Sequence, residues 1–156
     1  MPDSVFGVEK PEQSPGFLLW QTTVLWQRLI KKALTPYDMA HSHFVTLAII
    51  LWFHEQEQAV TQATVAEWSK MDKMTVSKAV SKLSARGLLT QEGHAYDGRA
   101  LSTRLTTAGV ELARILVGVV EKVDGDFFSV LSGKKQERLT GLLCVLTGFS
   151  YADKKE

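Results

Sequence analysis

Cysteine is nearly absent from this chain. Cys144 stands alone, so no internal disulfide can form, and the usage fits a reducing compartment, the cytoplasm. Proline is scarce and uneven: Pro2, Pro11 and Pro15 crowd the start among mainly polar residues, which marks 1–15 as a loose N-terminal arm. No apolar run approaches the roughly 18 residues of a membrane span, and the start lacks the basic-then-apolar order of a signal peptide. Catalytic signatures are missing too. There is no His-Glu-x-x-His, Cys-x-x-Cys, Gly-x-Ser-x-Gly or phosphate loop. Ser132-Gly133-Lys134-Lys135 fails as a phosphate loop because Phe128 occupies the first glycine position and Lys135 the hydroxyl position. Asp124-Gly125-Asp126 lacks the other ligands of a calcium loop. His41 and His43 fall on different sides of a helix, and His43 and His54 lie roughly 16 Å apart at 1.5 Å per residue. Neither pair can chelate alone. Neither enzyme chemistry nor a metal or other cofactor is expected.

What the chain does have is concentrated in residues 61–104, which read as helix, tight turn, helix and two-stranded wing. Asp72 is placed to cap a helix that Gly87 ends, and between them Val76, Ala79, Val80 and Leu83 recur at i, i+3, i+4 and i+7, one stripe that must face inward. The opposite side carries Thr75, Ser77, Lys78, Ser81 and Lys82, with Lys73 before them and Arg86 after. From Lys70 to Arg86 there are five basic residues and one acidic, although the whole chain carries only +1. Short hydroxyls beside lysines suit phosphates and base edges. Thr61 can cap a preceding helix over 62–69 with Val65 and Ala66 inward, and Lys70-Met71-Asp72 supplies the turn. This is helix-turn-helix grammar, in which the second helix enters the major groove and the first crosses the backbone. Lys73, Thr75, Ser77, Lys78 and Lys82 are therefore assigned to the groove, and Gln62 and Thr64 to the backbone. After Gly87, 88–91 reads as a strand, 92–98 as turn, and 100–105 as a returning strand with Leu101, Thr103 and Leu105 on one face. Arg99 at the tip can enter a minor groove, with Asp97 holding it or the tip backbone.

The flanks are helical. Residues 17–34 carry Leu18, Leu25, Leu29, Ile30 and Ala33 with Trp20 and Trp26. Residues 43–54 are apolar nearly all round, which predicts burial on every side. Asp38 or Ser42 is the candidate cap of that helix. Thr106 can cap a long helix with Leu112, Ile115, Leu116, Val119, Val120, Val123 and Phe127 on one stripe, where Gly118 suggests close packing. A last helix begins at Leu131-Ser132 and bears Leu139, Leu142, Leu143, Leu146 and Phe149.

In order and spacing, Thr61-Gln62 with Val65-Ala66, Thr75-Val76-Ser77 with Val80 and Leu83, Gly87-Leu88-Leu89, Asp97-Gly98-Arg99 and Leu105-Thr106-Thr107-Ala108-Gly109 resemble the MarR (multiple antibiotic resistance regulator) family of winged-helix transcription factors. Met39-Ala40 and His43-Phe44 depart from the leucine-threonine and glutamine-phenylalanine pairs frequent there. The fold class expected is mainly α with a small β-wing: a winged helix-turn-helix over 38–106 and a helical dimerisation region over 16–36 and 107–150. The resemblance implies a homodimer that clasps by its terminal helices and binds double-stranded DNA at a pseudo-palindromic operator, most simply as a repressor. It also implies a small-molecule effector, apolar or aromatic and with or without an anionic group, between the dimer helices and the winged helix. Trp20, Arg28, His41, His43 and Trp52 are the candidate lining. The family's peroxide sensors keep their cysteine near the first helix, where this chain has none. Two rival readings remain at this level: a winged helix used as a protein-interaction module, and a regulator of another winged-helix family.

Overall fold

The computed structural model describes residues 4–93 and 101–149. Helix α1, Pro15–Leu34, begins where the Ser14 hydroxyl accepts the Phe17 N–H at 3.3 Å with Pro15 at the first helical position. It ends in a 3₁₀ turn, Thr35–Tyr37, closed by the Asp38 N–H on the Thr35 carbonyl at 3.0 Å. Helix α2, His41–Glu55, follows behind Ala40 with no side-chain cap. Neither substitute takes that role. Asp38 sits in the left-handed region, φ +50°, completing the preceding turn, and Ser42 is already inside the helix, where its carbonyl accepts the Thr46 hydroxyl at 2.9 Å.

Helix α2 buries Phe44, Thr46, Leu47, Ile50 and Leu51 against α1 and the elements that follow. The expectation that it is covered all round is not met: Trp52 is 42% exposed, and Ile49 and Phe53 are half-buried. Strand β1, Val60–Thr61, leads into α3, Gln62–Ser69; then come α4, Lys73–Ala85, and the hairpin of β2, Leu89–Gly93, and β3, Leu101–Leu105. The sheet is antiparallel in the order β1-β3-β2, with Val60 opposite Thr103 and Leu89 opposite Leu105. On β3 it is Ser102, Thr103 and Leu105 that are buried, while Leu101 is exposed. Ser102 and Thr103 are flanked by β1 on one edge and β2 on the other, whereas Leu101 pairs only with Gly93 at the outer end of the wing.

Helix α5, Thr107–Phe128, buries Gly109, Ala113, Leu116 and Val120, so its inward line runs beside the one expected, and Ile115 is exposed. Gly118 has open space where a Cβ would stand; the tight glycine is Gly109. Chain contacts divide the molecule into residues 1–121 and 122–156. In the first unit Ile30, Leu34, Leu47, Ile50, Val65, Val76, Val80, Leu83 and Leu116 form the core. In the second, the Gln136 side-chain amide donates to the carbonyls of Phe128 and Leu131 at 3.1 and 3.0 Å, satisfying acceptors at the end of α5. There α6, Gly133–Thr147, ends at Gly148 and has no buried residue.

Candidate nucleic-acid interface

Helix α4 is fixed at both ends. At its start the Asp72 carboxylate accepts the Thr75 N–H at 2.7 Å and the Thr75 hydroxyl at 3.0 Å. Those bonds, the backbone one first, hold the exposed Asp72 carboxyl below its ordinary value of 3.8. The single proton of the Thr75 hydroxyl is thus committed to the cap, which leaves Thr75 an acceptor and a methyl group to offer outward. At its end Gly87 adopts φ +73°, and the N–H groups of Gly87 and Leu88 return to the carbonyls of Ser84 and Leu83 at 2.9 and 3.0 Å. This is the paired bonding by which a left-handed glycine closes a helix.

Between the caps Val76, Ala79, Val80 and Leu83 are completely buried, and α4 packs on α2, α3 and β2. Lys73, Met74, Ser77, Lys78, Ser81 and Lys82 are exposed. No ion pair among the described residues engages Lys73, Lys78 or Lys82; those present are Arg104–Glu92, Arg114–Glu55 and Lys122–Asp126. The positive charge of the face is therefore open to solvent and to a polyanion. Thr61 caps α3 by accepting the Thr64 N–H at 3.2 Å, and the two threonine hydroxyls lie 3.1 Å apart. Gln62 and Thr64 are half-buried at the start of that helix. Lys70 turns the chain in the left-handed region, φ +61°, where the Ser69 hydroxyl accepts the Met71 N–H at 3.1 Å. Asp97 and Arg99 lie outside the described residues.

The expected Thr106 cap of α5 is present, while the Arg86 contacts and the bonds of Thr106 back to the end of α4 escaped the sequence reading. Arg86 does not extend the basic face: its guanidinium donates to the carbonyls of Asp38 and Tyr37 at 2.8 and 3.2 Å, tying the end of α4 to the corner between α1 and α2. No local sequence signal marks it. Next to it Thr106 donates its hydroxyl to the Gly87 carbonyl at 2.7 Å, accepts the Gly109 N–H at 3.0 Å, and donates its N–H to the Leu88 carbonyl at 3.1 Å. A side chain at position 109 would collide with the Leu88 carbonyl oxygen and stand 3.0 Å from its carbon. The threonine and glycine of the 105–109 motif are thus the latch that fastens the end of α4 to the start of α5.

The candidate effector residues are dispersed. His41 meets Trp26 of α1 edge-to-face with ring centroids 5.2 Å apart. His43 faces the other way, toward α4: burial, then Lys82 and Arg86, hold its pKa below the ordinary 6.5. Arg28 and Trp52 are exposed, and Trp20 is 68% exposed. An open cleft of about 620 Å³ lies elsewhere, between His54, Glu55, Glu57, Gln58, Arg104 and Arg114, and includes none of the five.

The ArnR1-like, winged-helix domain family matches residues 35–123, more than half of the chain. A Bacillus subtilis relative, the uncharacterized HTH-type transcriptional regulator YdcH, is 37% identical over 132 residues, spanning 85% of this chain and 89% of its own. Among solved structures, Bordetella bronchiseptica BpsR, described with the regulation of its DNA binding by 6-hydroxynicotinic acid, superimposes with a TM-score of 0.80 at 21% identity, covering 92% of this chain and all of the other. A MarR-family regulator from Rhodococcus sp. RHA1 gives 0.80 at 21% identity over 90% and 96%. These two likenesses establish a shared fold. With the capped, one-sidedly basic second helix, the sheet that follows it and a relative at this identity over most of both chains, the protein belongs to the ArnR1-like winged-helix family of HTH-type transcriptional regulators.

Proposed function

We propose that the protein acts as a cytoplasmic homodimeric repressor, without enzymatic activity, at a pseudo-palindromic operator. Its two α4 helices enter successive major grooves of one duplex face, roughly 34 to 36 Å apart. The observation that carries this reading is the division of α4 into a completely buried apolar stripe and an exposed face with three lysines in no ion pair among the described residues. In this arrangement Lys73, Ser77, Lys78 and Lys82 approach bases and phosphates, Thr75 contributes its acceptor and methyl group, and Gln62 and Thr64 meet the backbone. Arg99 enters the minor groove with Asp97 in support. The segments 16–36 and 107–150 form the dimerisation region. Exposed apolar side chains on α1 (Leu19, Trp20, Leu25) and on α6 (Leu142, Val145, Leu146) support that assignment, since two-fold pairing removes such surface from water.

The effector we propose is a small apolar or aromatic molecule, an anionic one included, between the dimer helices and the winged helix, where Trp20, Arg28, His41, His43 and Trp52 are the candidates from which a subset would line it. The dependence of BpsR on 6-hydroxynicotinic acid, a small aromatic acid, supports this class. Such a ligand regulates only through different affinities for the DNA-competent and incompetent states. Titration against random duplex at low and high salt tests the core of the reading. Affinity should fall steeply with salt, and Lys82→Ala should reduce the slope by about one unit. Salt-independent association would point instead to a protein-interaction module. Arg99→Ala should weaken operator binding strongly without unfolding the chain.

A further inference from the structure

Met74 is the one large apolar side chain exposed on α4; it is 66% exposed in the first turn. Helical spacing puts it at i, i+3, i+4 and i+7 with Ser77, Lys78 and Ser81, all exposed, on the side opposite Val76, Ala79, Val80 and Leu83. It therefore contributes nothing to the core of its own chain. The N-terminal residues of a recognition helix are those that reach base edges. Within this first turn the Thr75 hydroxyl proton and the Asp72 carboxylate are occupied with each other and Thr75 is half-buried, so Lys73 and Met74 are the exposed side chains that project furthest.

A thioether has no donor and only a weak acceptor, so it cannot read the hydrogen-bond pattern of a base pair. The apolar feature that the major groove offers is the C5-methyl group of thymine. An unbranched, polarizable side chain adapts its rotamers to such a target, and the small Ser77 one turn on lets the duplex come close.

We propose that Met74 is a specificity-determining residue that selects thymine, by its methyl group, at one position in each half-site. The proposal rests on the DNA-binding reading above. It goes beyond that reading by assigning an apolar readout to a residue outside the polar and cationic set.

The test starts with the full-length wild-type chain and a pool of random-sequence duplexes, from which the tightest binder is selected. Its thymines are then replaced one at a time by deoxyuridine, which keeps the pairing face and the O4 acceptor and removes only the methyl group. For the wild type, replacement of the contacted thymine in one half-site only should weaken binding about fourfold, the worth of one buried methyl, and replacement in both halves about fifteenfold. Met74→Ala, confirmed as folded by circular dichroism, should bind the thymine and uracil duplexes alike, and Met74→Leu should restore discrimination. Wild-type indifference to every replacement, or an undiminished loss in Met74→Ala, overturns the methyl readout while leaving sequence-specific DNA binding in place. Failure of the wild type to enrich any sequence overturns both.

Discussion

Helices α4 and α6 are of similar length, and both carry an apolar stripe, yet the chain treats them in opposite ways. In α4 the stripe is covered by α2, α3 and β2, and what remains outside is short, hydroxylic and cationic. In α6 nothing is buried: Val145 is 79% and Leu146 76% exposed. An amphipathic helix buries its leucines when a partner covers them. The contrast separates two surfaces: α4 closes its apolar stripe inward and presents cationic and hydroxyl groups, whereas α6 leaves its apolar side chains exposed, the area that the dimer proposed above would cover.

The largest effects should come from breaking this contrast directly. Leu83→Ala, at a completely buried position of α4, should lower the unfolding free energy by about 2–5 kcal/mol in denaturant titration. Leu146→Ala should change the stability of the isolated protomer by no more than about 0.5 kcal/mol. It should instead raise the dimer dissociation constant in sedimentation equilibrium. If Leu146→Ala unfolds the chain as Leu83→Ala does, α6 is part of an intramolecular core and the contrast is false.

Next in size are the fastenings of α4. Gly109→Ala forces a methyl group into the Leu88 carbonyl and should cost about 1–3 kcal/mol, whereas Gly118→Ala meets open space and should be neutral or stabilising by up to about 1 kcal/mol. Thr106→Ala removes the cap of α5 and its bond to the Gly87 carbonyl, a loss of about 1 kcal/mol in thermal or chemical unfolding. The smallest effect concerns pH. His43 has a folded pKa below 6.5, so the unfolded chain binds more protons just below that value. Its contribution to stability should fall as pH drops through 6.5 and level off below the folded value. His43→Gln should remove that slope from unfolding midpoints measured across this range.

The sequence announced the helix-turn-helix because its signals are local. Asp72 three residues before Thr75, the 76-79-80-83 spacing and Gly87 each act within one or two helical turns, and all three stand where expected. What it concealed depends on contacts between distant segments. Arg86 reads as one more surface cation until Tyr37 and Asp38, nearly fifty positions away, bring their carbonyls to it. Strand β1 has two residues, too few for any periodicity, and exists because Thr103 and Ser102 pair with it. Gly118 and Gly109 look alike in the sequence; only the approach of Leu88 tells them apart. A small-molecule pocket is harder to read from sequence than a helix cap, because it is defined by side chains that converge from distant segments. His41 and His43, two apart, face different helices.

In the proposed dimer, α4 reads DNA only when helices such as α6 join two copies. The most direct measurement is sedimentation velocity of the wild type and of a Leu142→Glu, Leu146→Glu variant with a selected palindromic duplex. Two protomers per duplex are expected for the wild type, and for the variant a folded monomer whose affinity falls to the level of random duplex. Full-affinity binding by a single protomer, or an unimpaired dimer in the variant, would contradict that dependence.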